Sequence, residues 1–268
     1  GKMNRYWSIF KISFQQEFAY KLNFVMWRVR NVLQFLVAFF LWTTIFSDPN
    51  RVVFGYDQSR IITYIFGLII IRAIVLSSRS IDIAGEMSQG LLTNYLLKPI
   101  NYLKYWFTRD ISSKALNLAF SAVEVTILFF VLKPTFFLQT DLLLIIIFAF
   151  SLIIAVVLFF LLMFISNMLP LWMPEQPWSM TFLLFIFADF FGGGILPLDI
   201  LPVYITKILY LTPFPYLLFI PIEIYLGKLG LASSLNAVLV GGLWAILLGF
   251  TANGIWKVGL KSYRAEGR

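Results

Sequence analysis

Residues 142–166, LLLIIIFAFSLIIAVVLFFLLMFIS, run without a single charge. About 20 apolar residues in a helix cross the hydrocarbon core of a bilayer, so this run is long enough to span. A helix apolar on every side belongs in lipid or in a very large core. In lipid the backbone must satisfy its own hydrogen bonds, which leaves helices as the way across. This one run therefore constrains the fold to an all-α polytopic membrane protein.

Five further apolar runs are long enough to span, four of them carrying charge: 29–47, 60–78, 111–132, 178–194 and 234–256. We expect six spans in a single domain covering 1–268. Turn chemistry separates the runs, with Asp48-Pro49-Asn50-Arg51 after the first and Lys133-Pro134 after the third. The proline-broken NMLPLWMPEQP, 167–177, follows the fourth. Only 13% of residues are charged, against about 25% in soluble domains.

The chain has neither cysteine nor histidine. That removes disulfides, thiolate and imidazole metal sites, cysteine nucleophiles and histidine-based triads. The net charge of +8 would raise nucleic acid as a partner for a soluble protein. Here the charge sorts by side of the membrane instead. Six spans place both termini together, and five of the 21 basic residues (Arg51, Arg60, Lys133, Lys207 and Lys228) fall on the other side. Basic residues collect on cytoplasmic segments, so we expect N-in, C-in and no nucleic acid. No cleavable signal sequence is expected, and Gly1-Lys2 ahead of Met3 reads as an appended dipeptide.

Two segments are amphipathic rather than spanning. In 4–22, Trp7, Phe10, Phe14, Phe18 and Leu22 recur at helical spacing beside Lys11 and Lys21, which suits a helix lying in the membrane interface. In 80–99, Ala84, Met87, Leu91 and Tyr95 make a stripe. Asp82, Glu86, Gln89 and Asn94 make that segment too polar to span, and Pro99 ends it. We expect one amphipathic helix there that docks a soluble partner.

The stretch from Ala188 to Gly227 is apolar yet broken by Gly192-Gly193-Gly194 and then by Pro197, Pro202, Pro213, Pro215 and Pro221. Glycine weakens a helix by about 1 kcal/mol and proline removes a donor. We expect short broken helices that dip back into the membrane, shielded by protein or water.

Three charges lie inside spans: Arg72, Glu124 and Asp189. A charge at the bilayer centre costs about 2.5–3.5 kcal/mol on insertion scales, so such groups face inward and pair. They fit a substrate or proton pathway, or a static pair of Arg72 with Asp189 or Glu124. No GxxxxGK[ST] loop is present, so nucleotide is not hydrolysed here by that route. No paired carboxylates stand at helical spacing within the spans, which disfavours a membrane-embedded lipid-modifying enzyme.

Taken in order, the motifs resemble the membrane subunit of an ABC exporter of the type-two permease class, as encoded in bacteria beside a separate ATPase. The likeness rests on Gly85-Glu86, Leu91-Leu92 and Lys98-Pro99 in the polar segment. It continues in Gly194, Pro197, Leu201 and Pro202, then in Pro213-Phe214 and Tyr216. The resemblance implies that 4–22 is a connecting helix. It implies that 80–99 is a coupling helix docked on a cytoplasmic ATP-binding subunit through Asp82, Gly85, Glu86, Met87 and Leu91. Residues 195–227 would be an external re-entrant gate, and a second permease copy or a sister permease would complete the path. ATP and magnesium would sit in the partner chain, with no catalytic residue, metal or cofactor here. The expected setting is the bacterial cytoplasmic membrane among its lipids, and the expected cargo a lipid, drug or peptide. The competing reading is an ion-coupled secondary transporter built on Arg72, Glu124 and Asp189.

Overall fold

The computed structural model describes residues 2–19 and 21–263. Phe18 and Leu22 of the aromatic stripe, with Lys21, have side chains outside the described residues, as do Arg264 and Arg268 of the basic tail. Among the described residues the structure is helix and turn, with one isolated antiparallel bridge between Val53 and Tyr56.

Among the described residues, eleven α-helices follow in order. The N-terminal pair is α1 (Lys2–Ala19) and α2 (Lys21–Ile45). Next come α3 (Gln58–Val75), the short α4 (Asp82–Ser88) and α5 (Leu92–Leu96), and the long α6 (Tyr102–Leu132) and α7 (Leu142–Ser166). The chain closes with α8 (Ser179–Phe191), α9 (Val203–Leu209), α10 (Phe219–Tyr225) and α11 (Leu231–Ser262). Side-chain caps start three of the long ones. Asp57 accepts from the Arg60 amide, Asn101 from Lys104 and Asp141 from Leu143, each satisfying an amide that the first turn leaves unpaired.

Among the described residues, five helices are long and apolar enough to cross a membrane: Phe24–Ile45 within α2, then α3, α6, Leu142–Leu171 and α11. The expected span at 178–194 forms only the 13-residue α8. At 1.5 Å per residue that is about 20 Å of helix. It stops because the glycine triplet begins at once. Several spans extend past their apolar runs, α6 and α11 among them. α6 starts at Tyr102 rather than 111, and α11 extends beyond 256 to Ser262.

α3 is the most enclosed span, packed against α2, α6 and α7, with Phe66 in edge contact with Phe35 at 4.8 Å. α11 lies along α7, and Tyr102 of α6 stacks on Trp256 of α11 at 4.6 Å. The described part of the N-terminal aromatic stripe turns partly toward the bundle. α1 packs along α6, with Phe10 and Phe14 half-buried and Trp7 left exposed. The connections sort to two ends of the bundle. One end gathers α1, 76–101, 167–178 and Tyr263. The other gathers 46–57, 133–141 and 192–230, where Gln139 donates to the Tyr225 carbonyl at 2.9 Å and Arg60 stacks over Phe137 at 4.6 Å.

Candidate functional site

The glycine triplet is a crossing point. α8 runs up to it, and two other elements, α3 and α10, reach its backbone. The Gly192 carbonyl accepts from the Phe219 amide at 2.9 Å, which ties it to the start of α10. The Gly193 carbonyl accepts from the Tyr64 hydroxyl of α3 at 2.6 Å. The Gly194 carbonyl accepts from the Arg72 guanidinium. Side chains do not fit here. A Cβ on Gly193 would lie 2.7 Å from Tyr64 Oη and 2.8 Å from Phe219 Cβ, and its φ of +83° is one that glycine tolerates. A Cβ on Gly194 would lie 2.2 Å from Asp189 Oδ1.

Arg72 and Asp189 meet beside the triplet at 2.7 Å. Arg72 stands in the last turn of α3, and its side chain leans back along the helix toward Gly194. Glu124 of α6 pairs elsewhere, with Arg28 of α2 at 3.0 Å. Arg28 also donates to the Asn117 carbonyl at 2.8 Å and to Ser121 Oγ at 2.9 Å. So the three intramembrane charges do not form one cluster, and each has a counter-ion. Of the two partners open to Arg72, the fold selects Asp189.

The prolines mark where each short helix begins. Pro197 precedes the 3-10 turn 198–200 and Pro202 precedes α9. Pro213 and Pro215 flank and enter the 3-10 turn 214–216. Pro221 sits in the first turn of α10, where a missing amide costs no helical bond. The glycines and Pro197, Pro213, Pro215 and Pro221 are buried; Pro202 is exposed.

At the opposite end, 80–99 is not one helix. Gly90, at φ +74°, divides it into α4 and α5. Its polar side chains mostly tie it to the bundle. Asp82 pairs with Arg79 at 2.9 Å, and Arg79 with Glu17 of α1 at 3.3 Å. Glu86 accepts from the Tyr95 hydroxyl at 2.6 Å and lies 4.0 Å from Arg109. Arg109 reaches Gln16 of α1 at 3.3 Å. Burial raises the Glu86 carboxyl above its usual range, opposed by Tyr95 and Arg109. Burial likewise raises Glu17, opposed by Arg79.

Asp110 of α6, fully buried, anchors the link into α4. It accepts from Ser78 Oγ and from the amides of Arg79 and Ser80 at 2.8 Å each, and from Ser80 Oγ at 2.9 Å. The 167–178 loop closes over α4. A Cβ on Gly85 would be 3.0 Å from the Trp178 ring, and Ser88 donates to the Pro174 carbonyl at 2.5 Å. Tyr263 donates to the Gly90 carbonyl at 2.8 Å.

Of the five residues expected to face a partner, Leu91 alone is exposed. Asp82, Gly85 and Glu86 are half-buried in the contacts above, and Met87 is buried. The outward surface is instead Gln89, Leu91, Asn94 and 96–99, with Leu97 80% exposed. Helical spacing groups residues by face, but it leaves open which face turns inward. Sequence reasoning passed over Tyr64, Asp110 and the role of Arg28. The signal for Asp110 was an acid in the same helix as Arg109 and Lys114, at the edge of an apolar run.

A family model described as ABC-2 family transporter protein matches residues 32–267, nearly the whole chain and both regions above. No curated protein matches the chain at a significant level. The chain belongs to the family of ABC-2 transporter proteins.

Proposed function

We propose that this chain is the membrane-spanning permease subunit of an ATP-driven exporter in a bacterial cytoplasmic membrane. It works with a separate cytoplasmic ATP-binding subunit that carries ATP and magnesium. The chain crosses six times, with α8 and the glycine crossing completing the fifth pass, and both termini lie inside. A second permease copy or a sister permease completes the path, and the cargo is a hydrophobic or amphipathic lipid, drug or peptide. The observation that carries this reading is the Asp110 anchor. It fixes the polar segment 80–99 to the span α6, so a push on that segment moves a membrane helix. The partner contact falls on the exposed residues of 89–99, while Asp82, Gly85, Glu86 and Met87 transmit the movement inward. Counter-ions on Arg72, Glu124 and Asp189 support a static role for those charges over an ion-coupled pathway.

The test is co-purification with the ATPase encoded beside this chain, then ATP hydrolysis by the complex with candidate lipids, drugs and peptides. We expect a stable complex whose hydrolysis rises several-fold with the right cargo. Transport driven by a proton gradient without ATP would sink the reading.

A further inference from the structure

Four polar side chains meet at the end of the bundle that holds the broken stretch, and nothing above uses them. Tyr56 comes from the 46–57 loop, Asp199 from the 3-10 turn after the glycines, Glu223 from α10, and Lys228 from the link into α11. The Tyr56 hydroxyl lies 2.9 Å from Asp199 Oδ1 and 2.5 Å from Glu223 Oε1. Lys228 pairs with Asp199, lies 3.7 Å from Glu223 Oε2, and stands 3.2 Å above the centre of the Tyr56 ring. Tyr56 is 1% exposed and Glu223 2%.

The 46–57 loop is shaped for this meeting. Phe54 and Gly55 both take positive φ, and the Val53–Tyr56 bridge closes the turn that aims Tyr56 inward. Lys228 follows Gly227, itself at φ +67°, so the chain reverses out of α10 just where the amine is placed. Three segments distant in sequence, around 56, 199 and 223–228, are thus joined at this point by polar contacts set among apolar neighbours. Polar contacts suit a joint that must part. A buried polar group left without partners is costly, but one that gains water on opening exchanges one set of bonds for another. An apolar joint of equal area would have to expose its surface to water.

We propose that Tyr56, Asp199, Glu223 and Lys228 form a latch that holds the re-entrant gate closed, with Tyr56 and Lys228 as its positioning residues. The 46–57 loop is the fixed side, continuous with α2 and α3. The 198–200 turn is the moving side, and α10, buried against α7 and α3, stays with the bundle. Parting the latch frees the segment between the glycine crossing and α10 from the rest of the bundle. This rests on the reading of that stretch as an external gate.

The absence of cysteine gives a clean test. Leu198 is 1% exposed beside the latch, whereas Tyr204 on α9 is 69% exposed. Leu198→Cys and Tyr204→Cys are each made in the permease assembled with its ATPase. Both are treated from outside with a membrane-impermeant maleimide in right-side-out vesicles. Tyr204→Cys should react quickly in every background. Leu198→Cys should react slowly alone, and at least tenfold faster once Tyr56→Phe or Asp199→Asn is added. Tyr56→Phe keeps the ring under Lys228 and removes only the hydroxyl, and Asp199→Asn removes only charge, so two mild changes probe one device. A lower melting temperature in both variants with Leu198→Cys still protected means the cluster only braces the fold, and the latch is overturned. An unreactive Tyr204→Cys instead overturns the external placement, and the gate reading falls with it.

Discussion

At Gly193 two demands coincide on one atom. The backbone sits at φ +83°, and the space where a Cβ would go is already taken by Tyr64 and Phe219. Each strained conformation of this kind costs about 1–3 kcal/mol for a residue with a side chain. Gly193→Ala should therefore lower the melting temperature clearly, read by circular dichroism in detergent. Gly242 in α11 is the control, because nothing lies within 4 Å of its Cβ position. Gly242→Ala should hold or gain stability, by up to about 1 kcal/mol of helix propensity. Equal melting of the two variants would mean the triplet is not a tight crossing. The Arg72–Asp189 contact calls for a different measurement. Their side chains are 29% and 34% exposed, so the pair lies between the surface case and the fully buried one. A double-mutant cycle with Arg72→Ala and Asp189→Ala should give a favourable coupling of about 1–2 kcal/mol. A coupling near zero would remove the ion pair as a reason for the register of α3 and α8.

The polar segment 80–99 shows how much an element can hide. Its outward residues and its inward ones should respond in opposite ways to the same change. Leu97→Asp puts a charge on an exposed position, so folding should be untouched. Association with the ATPase should weaken at least tenfold, a loss of about 1.4 kcal/mol. Met87→Asp places the charge in the core and should leave no folded protein to assay. If Leu97→Asp binds the ATPase as well as the parent does, the contact surface lies elsewhere. Five of the six expected spans were legible in the sequence, because long apolar runs have one outcome in lipid, whereas 178–194 forms only a 13-residue helix. The caps Asp57, Asn101 and Asp141 stand where such residues belong. Gly90 was less legible, since a lone glycine in a helical pattern does not announce whether it breaks the helix. The inward turn of Glu86 and Met87 was not legible at all. It depends on Arg109, Trp178 and Tyr263, which come from distant parts of the chain. The partner of Arg72 was narrowed to two acids by sequence, and only the packing of α8 on the rest of the bundle decided between them.

For the whole molecule, the Arg72–Asp189 pair, with about a third of each side chain exposed, sets a requirement on its surroundings. In a lone subunit its exposed part would face acyl chains. Ionised groups at membrane depth face protein or water, at a cost of about 2.5–3.5 kcal/mol when they do not. The side of the bundle formed by α3 and α8 must therefore be covered by another subunit or line an aqueous path. α8 has the surface for a subunit contact, with Phe182, Ile186 and Phe190 outward at successive turns. α2 carries a comparable apolar stripe at Leu33, Val37 and Phe40, and its Arg28–Glu124 pair is the less exposed of the two, at 12% and 17%, so acyl chains suffice there. A twofold pairing is self-complementary, so a residue near the axis meets its own copy. Phe182→Cys should then form a disulfide-linked dimer under mild oxidation in native membranes, since the chain has no other cysteine to compete. Val37→Cys, 71% exposed on α2, should stay monomeric under the same treatment. The reverse pattern would place the partner against α2. The Arg72–Asp189 pair would then need water to solvate it, and the translocation path would run along α8.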